Sequence, residues 1–126
     1  MKVKKFLKFY FCAEKLNGAL DNLIMKNAAY PCTDGWAGAE KICSLIGEKQ
    51  QLQKLWKYLD GIIAGLSERD FSSLEVYAKM RTGLKKLNRD ERNALRRAVV
   101  KFTRRAKRLE DFGEGAALVI KYYCLL

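Results

Sequence analysis

Apolar residues recur every three or four positions along most of the chain, which is the period of amphipathic α-helices. One such run covers residues 2–27 and a second covers residues 39–66. Between them, the Tyr30-Pro31 and Asp34-Gly35 pairs favour a turn-rich loop. The pattern therefore predicts two long helices joined by a short loop, and such helices pack as antiparallel neighbours.

The second run contains a heptad repeat of leucines. Leu45, Leu52, Leu59 and Leu66 follow one another at seven-residue intervals, and this spacing is typical of the seam of a coiled coil. We expect the first helix of the hairpin to cover this leucine seam.

Shorter helices are predicted in the second half of the chain. Ser72 with Glu75, and Asn88 with Glu91, match the capping box with which many helices begin. The second of these boxes starts a helix that we expect to continue to about Leu109, because its apolar residues keep to one side of the helical circumference.

The last part of the chain predicts a loop and an apolar tail. Residues 111–115 contain two glycines and two carboxylates, a composition that favours a loop. Residues 116–126 are apolar on every side except at Lys121. This tail is either a buried fifth helix or an exposed surface that contacts a partner.

Together these elements predict an all-α fold, a helical bundle of four or five helices. A chain of 126 residues buries roughly two thirds of its unfolded surface, enough for a core without disulfides or metals. We expect a single domain over residues 1–126. A long antiparallel N-terminal hairpin (1–66) precedes shorter helices, which include a basic segment and the apolar tail (67–126).

The positive charge of the chain is concentrated in one segment. The formal net charge is +11, from 25 Lys and Arg against 14 Asp and Glu. Residues 81–108 carry twelve basic and two acidic side chains, whereas residues 10–80 carry eight basic and nine acidic ones and cannot neutralise that excess. Eight of the twelve are arginines, whose guanidinium groups bind phosphate in a bidentate manner and stack on bases.

We expect this segment to bind nucleic acid or another polyanion. The alternatives are an ordinary solvated face and a surface that contacts an anionic membrane. The candidate nucleic-acid-binding residues are Lys85, Lys86, Arg89, Arg92, Arg96, Arg97, Lys101, Arg104, Arg105 and Arg108.

Composition argues against most catalytic and metal sites. The chain has no histidine, which excludes Ser-His-Asp and Cys-His catalysis and any site that needs imidazole. No pair of carboxylates forms an acid–base dyad, so that we predict neither an enzyme nor a cofactor. The cysteines contain no Cys-x-x-Cys pair, and this argues against zinc. Cys12, Cys43 and Cys124 lie among apolar residues and are predicted to be buried thiols, as in a reduced cytoplasmic protein.

No targeting or membrane-spanning segment is predicted. The first thirteen residues have a lysine-rich start and then aromatic residues, but Lys8 and Glu14 limit the apolar run. No stretch without a charged residue exceeds seven residues, whereas a spanning helix needs about 18.

Two stretches in the second half resemble a known family. Leu66-Ser67-Glu68-Arg69-Asp70, with Leu74 and Tyr77 behind it, resembles the opening of region 4 of sigma-70-type factors. Arg104-Arg105-Ala106-Lys107-Arg108-Leu109 resembles the basic end of that region's recognition helix. The resemblance implies a small phage-type transcription regulator, in which a long helical hairpin precedes such a region.

The chain departs from this family in the middle of the region. Four residues separate Gly83 from Asn88, too few for the first helix of a helix-turn-helix. We therefore expect contacts to phosphates more than to bases. The competing hypothesis is a helical interaction module that holds another protein, or a second copy, through Leu45, Leu52 and Leu59 or through the tail.

Overall fold

The computed structural model describes the backbone of residues 3–29, 35–80 and 87–126, and the side chains of residues 3–28, 39–80 and 87–126. These residues form six α-helices and two short 3-10 segments, with no strand in the described ranges. The all-α class and the helical bundle are therefore confirmed, but the predicted number of helices is too low. The helices are α1 (Val3–Phe11), α2 (Ala13–Ala29), α3 (Gly35–Ala64), α4 (Glu68–Lys79), α5 (Arg89–Arg105) and α6 (Gly113–Lys121).

The first predicted helix is two helices, because the chain breaks at Cys12. The break leaves the carbonyl oxygen of Tyr10 free to accept a hydrogen bond of 3.2 Å from Nε1 of Trp56. The Tyr10 hydroxyl donates to Asp60 at 2.6 Å, and its ring stacks on that of Trp56 with centroids 5.4 Å apart. α2 packs along α3, whereas α1 packs mainly against α4. The prediction that one continuous helix covers the leucine seam is therefore wrong.

The leucine seam lies inside the chain's own core. Leu45, Leu52 and Leu59 are buried, as are Leu55 and Ile63 on the same helix. The interaction module of the competing hypothesis therefore does not have this seam as a free surface.

The C-terminal residues form a helix that packs against α3. The predicted loop over 111–115 is wrong, since a 3-10 segment (Leu109–Phe112) leads directly into α6. A side chain at Gly115 would bring its Cβ within 3.1 Å of Leu55 Cβ and 3.3 Å of the Gln51 carbonyl oxygen, so this glycine lets the two helices approach closely. Beyond it, Val119 is buried while Ile120 is 56% exposed. The tail is thus partly core and partly surface.

A polar cluster fixes α6 against α3. Glu48 accepts hydrogen bonds from the Tyr122 hydroxyl and from Lys121, the latter at 2.8 Å. Burial raises the pKa of the Glu48 carboxyl, but the hydrogen bonds from Lys121 and Tyr122 outweigh it and leave that pKa below its usual value. Glu48 is therefore ionised at neutral pH and bridges two residues of the C-terminal segment.

One predicted helix start is correct and the other is wrong. Asn88 begins α5, and its side chain accepts a 2.8 Å hydrogen bond from the backbone of Glu91. By contrast, α4 begins five residues before the predicted Ser72, where Ser67 accepts from the backbone of Asp70. In addition, α5 ends at Arg105 and does not continue to Leu109. None of the helices in the described ranges is long and apolar enough to cross a membrane.

Candidate nucleic-acid interface

The candidate interface is built on α5, which has one strongly apolar side. Leu95, Ala98 and Phe102 lie on this side and are buried in the core. They recur at three- and four-residue spacing, so the rest of the helical circumference is left for polar residues. The packing of this side, mostly against α4, determines which residues of α5 face outwards.

Four arginines occupy the outward side of α5. Arg89, Arg96, Arg97 and Arg104 are exposed and lie within an arc of about 100° when 3.6 residues make one turn. From the first to the last of them the helix rises about 22 Å, at 1.5 Å per residue. We name these four residues the arginine face.

The arginine face keeps its full charge. None of its four side chains forms an ion pair or a hydrogen bond with the part of the chain that the structure describes. The acidic residues of the same helix, Asp90 and Glu91, lie in its first turn, where carboxylates favourably offset the positive end of the helix dipole. The face thus presents four guanidinium groups without an ion-pair partner in the described chain along one side of a helix.

Two of the predicted contact residues are used inside the chain. Lys101 Nζ forms an ion pair with Asp70 Oδ2 at 2.8 Å. Arg105 Nη1 donates to the carbonyl oxygen of Gly65 at 2.8 Å. Both bonds join α5 to the N-terminal end of α4 and the turn before it, so these residues orient the helix that carries the arginine face.

The other predicted contact residues lie at the edges of the arginine face or outside the described residues. Arg92 is exposed and makes an interaction within the chain. Arg108 follows the end of α5; its side chain is exposed, and its backbone N–H donates to the Tyr58 hydroxyl at 2.9 Å. Lys85 and Lys86 lie outside the described residues. Lys107, beside Arg108, is also exposed; it belongs to the basic segment but is not among the predicted contact residues.

No family model, curated protein or solved structure matches this chain. The function is therefore inferred from the geometry of the chain itself.

The ion pair between Asp70 and Lys101 is the main electrostatic link between α4 and α5. The hydrogen bond from Lys101 is the chief reason that the pKa of the Asp70 carboxyl lies below its usual value. Burial opposes this effect, while a hydrogen bond with Ser67 and the charge of Arg69 add to it. The sequence alone does not reveal Asp70 as a structural residue, because its partner Lys101 lies on another helix.

We expect the Asp70→Asn substitution to lower the free energy of unfolding at pH 7 by about 1–2 kcal/mol, because the pair is lost but Lys101 is half exposed and screened by solvent. The pair stabilises the fold fully above the unfolded-state pKa of about 3.9, and its contribution is lost as pH falls through the lower folded-state pKa. Urea denaturation from neutral to acidic pH should therefore show a weaker pH dependence for the variant.

Asp21→Asn is the matched control, since the Asp21 carboxylate pairs with Lys49 at 2.6 Å but is 52% exposed. We expect it to change stability by less than about 1 kcal/mol. Equal losses in the two variants would contradict a special role for the link between α4 and α5.

The described residues contain no group of three or more Cys, Asp or Glu side chains that could hold a metal ion. Cys43 and Cys124 are exposed and Cys12 is half-buried, so the prediction of buried thiols is wrong for the first two. Cys43 and Cys124 face away from the core, although apolar residues lie near them in the sequence.

Proposed function

We propose that this chain is a nucleic-acid-binding protein that contacts the phosphates of a duplex through the arginine face. The observation that carries the proposal is the alignment of Arg89, Arg96, Arg97 and Arg104 on one exposed side of α5 without ion-pair partners in the described chain. A merely solvated face needs no such alignment, whereas a polyanion with regularly spaced charges is bound best by one.

The chemistry of the face favours phosphate over other anions. Arginine presents a planar fork of donors that matches phosphate oxygens, and it loses little hydration when it binds them. The four arginine side chains along about 22 Å of helix would reach several phosphates, because duplex DNA carries one charge per about 1.7 Å of its axis. Such contacts position a protein on a duplex and do not by themselves read its sequence.

The resemblance to region 4 of sigma-70-type factors extends the proposal to a small phage-type transcription regulator that acts in the cytoplasm. Ser67, within the first resembling stretch, caps α4, and Arg104 and Arg105, in the second, end α5. These positions agree with a helical region of that general kind. Specific reading of bases is not part of the proposal.

Binding to a duplex should depend steeply on salt. Each neutralised phosphate contributes about 0.9 to the slope of log affinity against log salt, so the four arginines predict a slope of about −3.6 or steeper. Fluorescence anisotropy with a labelled DNA duplex and a labelled RNA duplex, from about 50 to 200 mM salt, measures this slope. Salt-dependent binding to either duplex would support the proposal.

Two outcomes would contradict the proposal. One is negligible binding to both duplexes at about 50 mM salt, where phosphate contacts are strong. The other is tighter binding to vesicles that contain phosphatidylserine than to either duplex, which would indicate a membrane surface.

A further inference from the structure

A second cluster of positive charge lies away from α5, where α1, the end of α4 and the C-terminal residues meet. A cavity of about 390 Å³ opens here, and its lining includes Lys4 and Lys8 of α1, Lys79 of α4, and Tyr123. We name it the lysine pocket. Its size falls within the range of small-molecule sites, which is about 300–1,000 Å³.

Aromatic rings hold the lysine ammonium groups in place. Lys8 Nζ lies 5.1 Å from the ring centroid of Tyr123, and Lys4 Nζ lies 5.4 Å from that of Tyr77. Lys5 Nζ also lies 5.1 Å from the ring centroid of Tyr123. A ring attracts a cation through its quadrupole and carries no net charge. Lys4 and Lys8 are therefore positioned by rings that do not neutralise them.

The charged side chains that line the lysine pocket are all basic. Glu75 pairs with Lys79 at 3.3 Å, and both side chains are well exposed. Lys4 and Lys8 form no ion pair with the described residues. Two unneutralised ammonium groups and one partly neutralised group thus line a single concave space.

We propose that the lysine pocket binds a small molecule that carries two or more phosphate groups. Several cations around one compact space fit a compact anion of multiple charge, whereas a single carboxylate would leave most of their charge unbalanced. Lysine binds phosphate as a point charge, and its preset position lowers the entropy lost on binding. Tyr123 and Met80 provide an apolar wall beside the charges, where the uncharged part of such a molecule would lie.

Titration of the protein with sodium triphosphate at low salt tests this site. Isothermal calorimetry should detect binding by about 5 mM ligand, the range of a weak anion site. In ¹H–¹⁵N NMR spectra, the largest shift changes should occur at Lys4, Lys8, Lys79 and Tyr123 rather than along α5. A titration with sodium chloride at equal ionic strength is the reference for both measurements.

The Lys8→Gln variant should bind triphosphate about tenfold more weakly, the loss expected for one charge-assisted hydrogen bond. Lys54→Gln is the matched control, since Lys54 is exposed on α3 and does not line the pocket; it should leave the affinity unchanged. Circular dichroism checks that both variants fold.

Any of three results would overturn the proposal that the lysine pocket binds such a molecule. They are no detectable binding, binding that Lys8→Gln does not weaken, and shift changes that occur mainly in the resonances of α5. Because Lys8 is not part of the arginine face, Lys8→Gln should still bind the duplex. Failure of either site is therefore distinguishable from failure of the other.

Discussion

Replacing Arg89, Arg96, Arg97 and Arg104 together by glutamate should weaken duplex binding by at least about 10³-fold at low salt. Each exposed arginine–phosphate contact is worth about 1 kcal/mol after solvent screening, and four such contacts correspond to about three powers of ten in affinity. The slope of affinity against salt should become shallower by about 3.6, because four phosphates are no longer neutralised. Fluorescence anisotropy measures both effects.

A control of equal charge change separates the arginine face from the overall charge of the protein. Lys15, Lys26, Lys41 and Lys54 are exposed on α2 and α3, and their replacement by glutamate changes the net charge by the same amount. We expect this variant to lose affinity only through long-range electrostatics, which salt screens over about 10 Å at 0.1 M. If both variants lost affinity equally, the arginine face would not be the binding surface.

Phe102→Ala should cost about 3–5 kcal/mol of unfolding free energy, because a fully buried aromatic ring is removed and a cavity remains. Most domains of this size are stable by only about 5–15 kcal/mol, so this variant should unfold at a much lower urea concentration. Phe102 is the largest fully buried side chain on the core side of α5.

Val100→Ala provides the comparison on the same helix. Val100 is 47% exposed, and its truncation should change stability by less than about 1 kcal/mol. If the two truncations cost the same, α5 would not be oriented with the arginine face outwards, and the basis of the proposed interface would be lost.

Those parts of the fold that depend on neighbours in sequence were predictable. Asn88 and Glu91 lie within one turn of each other, so their capping interaction is visible in the sequence. The start of α4 was harder, because Ser67 with Asp70 and Ser72 with Glu75 match the same local pattern. The first site is the one used, and Asp70 there also pairs with Lys101 of another helix. A contact of that kind cannot be inferred from a local pattern.

The break at Cys12 was not predictable for a similar reason. No proline or glycine lies there, and the apolar period continues through it. The interactions that accompany the break, between Tyr10 and both Trp56 and Asp60, join α1 to α3. Periodicity reports which residues avoid water, whereas the direction of a helix also depends on its packing partners.

The candidate site, too, is predictable only as far as it depends on neighbours in sequence. The sequence places basic residues on the outer side of α5, and the exposure of Arg96, Arg97 and Arg104 agrees with that placement. It does not separate them from Lys101 and Arg105, which bond to α4 and to the turn before it. All five residues have the same charge and similar spacing, and only the position of α4 distinguishes them.

The arrangement of α1 has a consequence for how the chain folds. Phe6, Leu7 and Phe9 are buried, yet α1 packs mainly against α4 and also contacts α6, both distant in sequence. Such contacts raise the contact order well above that of a bundle made of successive neighbours, and folding slows as contact order rises. On the ribosome, this aromatic face emerges before either of its partners, and it is covered mainly once α4 has followed it. The nascent chain therefore carries an aggregation-prone surface until α4 emerges.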